Sequence, residues 1–406
     1  MKVLYLNPSG QLGGAEYSLL DLLASLRAAP GLTLEVIATE DGPFVKAVRA
    51  LGVNARPLTL PASVARLGDA AAGLTAAERR PPIGPLPRLC LAAPGICAYL
   101  MRLRSEIAAC GPDLIHTNGF KMHLLGIWAR RRRTPVIWHI RDYISSRPLM
   151  ARLLPPHAGK CAAAIANSRS VAADLRALCP GLPVHTIYND VDLNRFSPAG
   201  AKLDLDAAAA MPAAAPGTIR VGLVATMARW KGHETFLRAL SLLPDRPAVR
   251  GYIIGGPLYR TLDSQYSLDE LRAIAARLGL SARVGFTGFL EDSASAMRAL
   301  DIVVHASTEP EPFGRVIAEA MACGKPVIAA GAGGALEIIT DGVDAMAHRP
   351  GDAAALAQLI AKLAGDCALR QRLARAAVAT VCARFTPARL AEDVSQIYDR
   401  VMSAAA

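Results

Sequence analysis

Aromatic residues make up 5% of this 406-residue chain, and none of its apolar runs is long enough to span a bilayer, which argues against an integral membrane protein. No C-x-x-C pair occurs among the eight cysteines, at positions 90, 97, 110, 161, 179, 323, 367 and 382. They lie mainly in apolar segments, so a metal knuckle and a disulfide frame are set aside in favour of reduced core thiols. G-x-G-x-x-G is missing, and with it the dinucleotide fingerprint. There is no short-period repeat, and no basic stripe interleaved with aromatics or other nucleic-acid motif, so nucleic acid is not an expected partner. Met1 to Leu6 reads as a first strand running into the Gly-rich stretch Ser9 to Gly14, without a signal-peptide cleavage pattern, and a cytoplasmic location is expected.

What the chain does have is apolar mass and positive charge. Hydrophobic residues at 52% are ample for packed cores, and the length fits two or three domains. The formal net charge is +11, and residues 1 to 200 carry nearly all of it, with 23 Lys and Arg against 13 Asp and Glu. Such a field favours an anionic partner, either a phosphorylated acceptor or an anionic membrane surface met peripherally on the inner face of the cytoplasmic membrane. Leu89 to Met101 is apolar, flanked by Arg88, Arg102 and Arg104, and too short to span. It reads either as an interfacial segment or as a helix packed on a sheet. Arg130 to Arg133 follow a helical stretch from Met122 and suit a helix C-terminus.

Strand-like runs at Val3–Leu6, Leu34–Ala38, Leu114–His116 and Val136–Ile140 alternate with helical or loop material. A second series follows at Ile219–Ala225, Gly251–Ile254, Val284–Gly288, Ile302–His305 and Val327–Ala330. The alternation predicts two α/β halves with parallel sheets. Pro61 to Pro87 reads as an irregular insertion. Residues 198 to 217, rich in Ala and Pro, have linker composition.

The most informative block runs from Asp301 to Ala330, D-I-V-V-H-A-S-T-E-P-E-P-F-G-R-V-I-A-E-A-M-A-C-G-K-P-V-I-A-A. A buried strand leads through Pro310 and Pro312 into a short helix, where Val316, Ile317, Ala320 and Met321 recur at helical spacing before Gly324 and Pro326. Glu311 then lies on the loop and Glu319 on the helix, eight residues apart. Ligands of open α/β sheets bind beyond the carboxyl ends of strands. Carboxylates there can accept hydrogen bonds from vicinal hydroxyls, and free N–H groups at a helix start favour phosphate. An isolated pair of glutamates would read as two solvated side chains; in this setting the pair points to a sugar nucleotide.

The block resembles the Glu-x7-Glu signature of the retaining glycosyltransferases of family 4, and the likeness continues through A-E-A-M-A-C-G-K-P-V-I-A. The resemblance implies the GT-B fold, two facing Rossmann-like domains with an interdomain cleft. Residues 1–197 would form the acceptor-side domain, completed by a crossover helix at about 387–406 that starts at Pro387. Residues 198–217 would be the linker, and 218–386 the nucleotide-sugar domain. It implies transfer from a UDP- or GDP-sugar to a glycan or lipid-linked acceptor in polysaccharide, lipopolysaccharide or glycolipid assembly, with no cofactor and no metal. A sugar-nucleotide 2-epimerase and a non-catalytic sugar-nucleotide or glycan-binding module share the fold and are the rival readings.

The resemblance also assigns residues. Lys231-Gly232 matches the family's Lys-Gly, whose Lys contacts the donor diphosphate; Thr226 stands where the family has an Arg, and Arg229 is the candidate to supply that charge. Glu311 would hold donor-sugar hydroxyls and Glu319 the ribose, with Phe313, Gly314, Arg315 and Val316 around the donor at the helix start. Gly13-Gly14 corresponds to a loop that closes over the donor. Gly285 to Leu290 resembles the stretch lining the nucleobase, with Gly288 and Phe289 its candidates, and Gly333-Gly334-Ala335-Leu336-Glu337 matches Gly-Gly-x-x-Glu. In P-V-I-W-H-I-R-D-Y, His139 is the first choice for the residue near the reacting carbon, and Arg141 the second. Asp190 replaces a Gly of the family's Tyr-Asn-Gly-Val-Asp. Asp190-x-Asp192 and Asp204-x-Asp206 lack a strand-end setting and read as solvated acids, not a metal-binding D-x-D.

Overall fold

A computed structural model describes residues 1–65, 85–257 and 264–405; most of the insertion expected over Pro61–Pro87 lies outside them. The chain divides into two compact units. One is Met1–Asp190 with Pro387–Ala406, and the other is Val191–Thr386.

The first unit contains strands β1 (Lys2–Asn7), β2 (Thr33–Ala38), β3 (Asn54–Pro57), β4 (Leu114–Asn118), β5 (Val136–Ile140), β6 (Ala163–Ala166) and β7 (Val184–Thr186). They form one parallel sheet in the order β3-β2-β1-β4-β5-β6-β7. Alternate residues feed separate cores on its two faces. Leu4 and Leu6 pack on one side with Trp138 and the helix Phe120–Ala129, while Val3 and Tyr5 pack on the other with the helix Gly14–Leu26. The final helix, Pro387–Ala405, joins this second core through Leu390, Val394, Ile397, Tyr398 and Val401, a single stripe at helical spacing. Each such aliphatic side chain contributes about 1.5–3 kcal/mol by burial, which ties the C-terminal helix to this unit.

The segment around Leu89–Met101 is part of a helix over Pro85–Cys110. Ala92, Tyr99, Leu103 and Ile107 of that helix are buried in the core, while Met101 stays exposed. Arg130 caps the helix Phe120–Ala129, and Arg131 to Arg133 are exposed beyond it. Among the described residues, no helix is long and apolar enough to cross a membrane.

The second unit contains β8 (Ile219–Val224), β9 (Val249–Ile254), β10 (Val284–Gly288), β11 (Ile302–His305), β12 (Val327–Ala330) and β13 (Met346–His348), again all parallel, in the order β10-β9-β8-β11-β12-β13. Both sheets reverse direction of winding once, between β1 and β4 in one and between β8 and β11 in the other. In doubly wound sheets the loops part at that reversal and leave a crevice beyond the strand ends.

Residues 198–217 are not a bare linker. They fold onto the second unit, where Leu205 is buried, Leu203 N–H bonds the Ser295 carbonyl, and Asp206 accepts from the Tyr252 hydroxyl and from Arg250, both at 2.6 Å. Asp206 and Asp190 are therefore buried acids, contrary to the solvated reading; Ser25 donates to Asp190 at 3.2 Å. Asp204 caps the helix Leu205–Ala208, and Asp192 accepts from the N–H groups of Asn194 and Arg195. Composition misled here because an Ala-rich stretch can still present one apolar and one acidic anchor. The cysteines also divide: 110, 161, 179 and 323 are buried, whereas Cys97, Cys367 and Cys382 are exposed on helices.

Candidate active site

At the reversal of the second sheet, β8 runs out into a loop carrying Lys231, and β11 into a loop carrying Ser307 and Glu311. Lys231 Nζ donates to Glu311 Oε2 at 2.8 Å and to Oε1 at 3.0 Å. His305, the last residue of β11, bonds Glu311 Oε2 through Nε2 at 3.0 Å, and the Ser307 hydroxyl donates to the same oxygen at 3.0 Å. The carboxyl is buried. Burial alone would raise its pKa, but the Lys231 ammonium and the His305 hydrogen bond outweigh that and hold it well below the usual carboxylate range. Lys231 also lies 3.8 Å from the centre of the Trp230 ring. The result is an ionised acid and a cation held together at the carboxyl end of the sheet.

The helix after Glu311 spans Arg315–Ala322, with Gly314 as its left-handed cap at φ +101°. Its first-turn N–H groups lack carbonyl partners within the helix, as at any helix start. Glu319 is buried on this helix and accepts from Arg315 at 3.0 Å. The parallel bridge between Glu311 and Gly333 brings the Gly333-Gly334 turn alongside, with Gly334 N–H donating to the Glu311 carbonyl at 2.7 Å.

Other expected residues take different places. Arg229 pairs with Glu270 at 2.9 Å and lies over the Tyr266 ring. Phe313 is buried edge-on against Phe385, which makes it a packing residue. Thr226, Arg315 and Val316 are half-buried. Gly288 closes β10 with φ +70°, and Phe289 after it is 63% exposed.

The Lys231 loop is seated through Gly232. At φ +76° a Cβ there would lie 1.8 Å from the Ala306 carbonyl oxygen, so the loop can approach β11 this closely only without a side chain. Gly232→Ala is expected to destabilise the protein by about 2 kcal/mol or more, read from the urea midpoint, because strain and a backbone clash coincide. An unchanged midpoint would mean that the loop is not seated as described.

At the reversal of the first sheet, Gly13 precedes the helix Gly14–Leu26 and donates its N–H to Glu16 at 3.2 Å. Burial pushes the Glu16 carboxyl up, opposed by hydrogen bonds from its own turn and from Asn7. Asn7 ends β1 and accepts from Asn118, which ends β4, at 2.7 Å. Arg141 donates to Asn118 at 2.8 Å and to Asn189 at 2.7 Å, and its remaining nitrogen faces His139 Nδ1 at 3.3 Å. His139 is 2% exposed, and burial followed by the Arg141 charge drives its pKa well down, so it is neutral. The two residues weighed against each other in the sequence therefore belong to one cluster, and Asn7, Asn118 and Asn189 are members that motif reasoning missed. For Asn7 the available signal was a polar residue closing a largely apolar strand, which also marks His305.

Two units of this strand order, each with polar side chains gathered at the winding reversal, define the GT-B class of α/β proteins. Residues 12–195 match the model of Glycosyltransferase Family 4, and residues 212–379 that of Glycosyl transferases group 1. A D-inositol 3-phosphate glycosyltransferase of Salinispora arenicola is 30% identical over 340 residues, covering 76% of this chain and 74% of that protein. One of Jonesia denitrificans is 33% identical over 255 residues, 60% of this chain and 58% of the relative's own length. The crystal structure of Anabaena Alr3699/HepE in complex with UDP and glucose superposes with a TM-score of 0.77 at 28% identity, covering 98% of this chain and 99% of that one. The chain belongs to the family 4, group 1 glycosyltransferases.

Proposed function

We propose that the protein transfers a sugar from a nucleoside-diphosphate sugar to a glycan or lipid-linked acceptor, with retention of configuration at the anomeric carbon. The observation that carries this reading is the pair of half-buried Lys231 and buried Glu311 beside a helix N-terminus at the winding reversal of the second sheet. In the proposed complex Lys231 turns toward the diphosphate and offsets the charge that grows as the sugar leaves. Glu311 accepts from sugar hydroxyls, Glu319 from the ribose, and the backbone N–H groups at Gly314–Val316 and of Gly333 meet phosphate oxygens. The exposed Phe289 ring offers a face to the base. On the first unit, His139, Arg141, Gly13 and Gly14, gathered at its own winding reversal, are the proposed sugar-facing groups.

The bond from the anomeric carbon to the diphosphate oxygen breaks as the acceptor oxygen attacks on the same face, and a donor phosphate oxygen takes the acceptor's proton. No protein nucleophile, metal or cofactor is assigned. The basic field of the first unit favours an anionic acceptor or the charged inner face of a membrane. UDP-glucose is the first donor to test, since Anabaena HepE is described with UDP and with UDP-glucose, and GDP-sugars come second.

A bound donor is expected to raise the melting temperature, by the equivalent of about 2.7 kcal/mol at a hundred times its dissociation constant. Transfer products are then read by NMR at the anomeric carbon. No stabilisation by any UDP- or GDP-sugar would overturn the donor assignment, and an inverted product the stereochemical one. Epimerised nucleotide sugar formed without acceptor would make the protein a 2-epimerase. Donor binding without turnover over a broad acceptor panel would make it a binding module.

A further inference from the structure

A chain of four aromatic side chains crosses the sheet of the first unit and ends at His139. The Tyr5 and Tyr398 hydroxyls are 2.6 Å apart, and Tyr398 lies 2.6 Å from His116 Nδ1. His116 Nε2 lies 3.0 Å from His139 Nδ1. All four residues are buried, with Tyr5 stacked on His116 from the neighbouring strand. Distances alone leave the direction of each hydrogen bond open, because a hydroxyl and a neutral imidazole both donate and accept.

Arg141 removes the ambiguity. A guanidinium has no acceptor, so its approach to His139 Nδ1 requires a bare nitrogen there. His116 Nε2, facing the same bare nitrogen, must then carry a proton and donate it. Burial and the Arg141 charge hold both imidazoles neutral. His116 Nδ1 is consequently bare and accepts from the Tyr398 hydroxyl, whose oxygen in turn accepts from Tyr5. Burial pushes both phenols upward, so they keep their protons. One permanent donor thus orients every bond in the chain, and the proton of His139 is left on Nε2, a buried atom with no partner among the described residues.

We propose that His116 and Tyr398 are positioning residues that hold His139 as its Nε2–H tautomer, so that His139 serves as a hydrogen-bond donor to a sugar oxygen and not as a base. The tautomer follows from this unit's geometry alone; only its role in transfer rests on the proposed function. Tyr398 belongs to the C-terminal helix, which on this account is part of the apparatus that sets the site.

The test is two-bond 1H–15N correlation of the full chain carrying labelled histidine, recorded without donor. His139 is expected to show a bare Nδ1 and a protonated Nε2 in the wild type, and a protonated Nδ1 would overturn the proposal. His116→Leu removes the nearer of the two donors to Nδ1 and leaves only the longer Arg141 contact at 3.3 Å, so a fraction of the Nδ1–H tautomer of His139 is expected to appear and kcat to fall about tenfold. His116→Gln, which can still donate, is expected to restore both toward wild type. Tyr398→Phe keeps the packing and is expected to mix the His116 tautomers. An unaltered His139 signal in both His116→Leu and Tyr398→Phe would also overturn it. Should no nucleotide sugar be turned over while the wild-type signal is as assigned, the proposed function fails and the tautomer assignment stands.

Discussion

In Lys231→Ala, sugar transfer is expected to fall by about 10²–10³-fold, the loss that follows removal of one group stabilising charge in a transition state. The change acts twice. It takes away the cation proposed to meet the departing diphosphate, and it strips Glu311 of the ammonium that bonds both of its oxygens. A buried carboxyl without that partner regains a proton more readily, and a protonated Glu311 accepts fewer hydrogen bonds from a sugar. Glu311→Gln should therefore also be strongly impaired, by at least about tenfold. Because the two side chains form one unit, the double variant is expected to lose little more than the worse single one; kcat/KM for all four proteins closes the cycle. Independent, multiplicative losses would show that the pair does not act together. A loss below about tenfold in both single variants would remove the assigned roles.

The fold and the site were unequally legible. The long β-branched strands were readable because a strand buried on both faces is apolar throughout, and Ile302–His305 or Val136–Ile140 admit little else. Ala163–Ala166 and Asn54–Pro57 were not, since four residues of A-A-I-A or N-A-R-P carry no strand period; the register of their neighbours makes them strands. Lys231 and Glu311, which the structure pairs, could be singled out because each stands in a motif on the loop after a strand. His305, Ser307 and the asparagines were missed because their importance lies in partners far away in sequence. Asn7 and Asn118 are joined only by strand order, which spacing cannot supply. The Arg229 partner was hidden for the converse reason: its nearness to Lys231 in sequence said nothing about Glu270, with which it pairs.

Residues 198–217 provide the second large effect. Asp206 is 4% exposed and accepts from Tyr252, Arg250 and Arg220 and from the Ala214 N–H. Removing it in Asp206→Ala takes the acceptor from a fully buried phenol and leaves a largely buried guanidinium only the Pro212 carbonyl, a loss of about 3–5 kcal/mol, towards the lower figure because Arg250 keeps that bond and Arg220 reaches solvent. Urea titration at neutral pH measures it. The pH dependence carries a sign that a simple packing defect would not. Burial raises the Asp206 pKa, but the Tyr252 hydroxyl, the Ala214 N–H and the two arginines overcome it and hold the group well below its ordinary 3.8. A carboxyl depressed in the folded state contributes stability that is fully present above the unfolded value and lost as pH falls toward the folded one. The gap between wild type and Asp206→Ala should therefore stay constant down to about pH 4 and narrow below it. A gap that is small at neutral pH, or that does not change in acid, would mean that this segment is only a tether. The expected result would make it the anchor by which the chain enters the second unit.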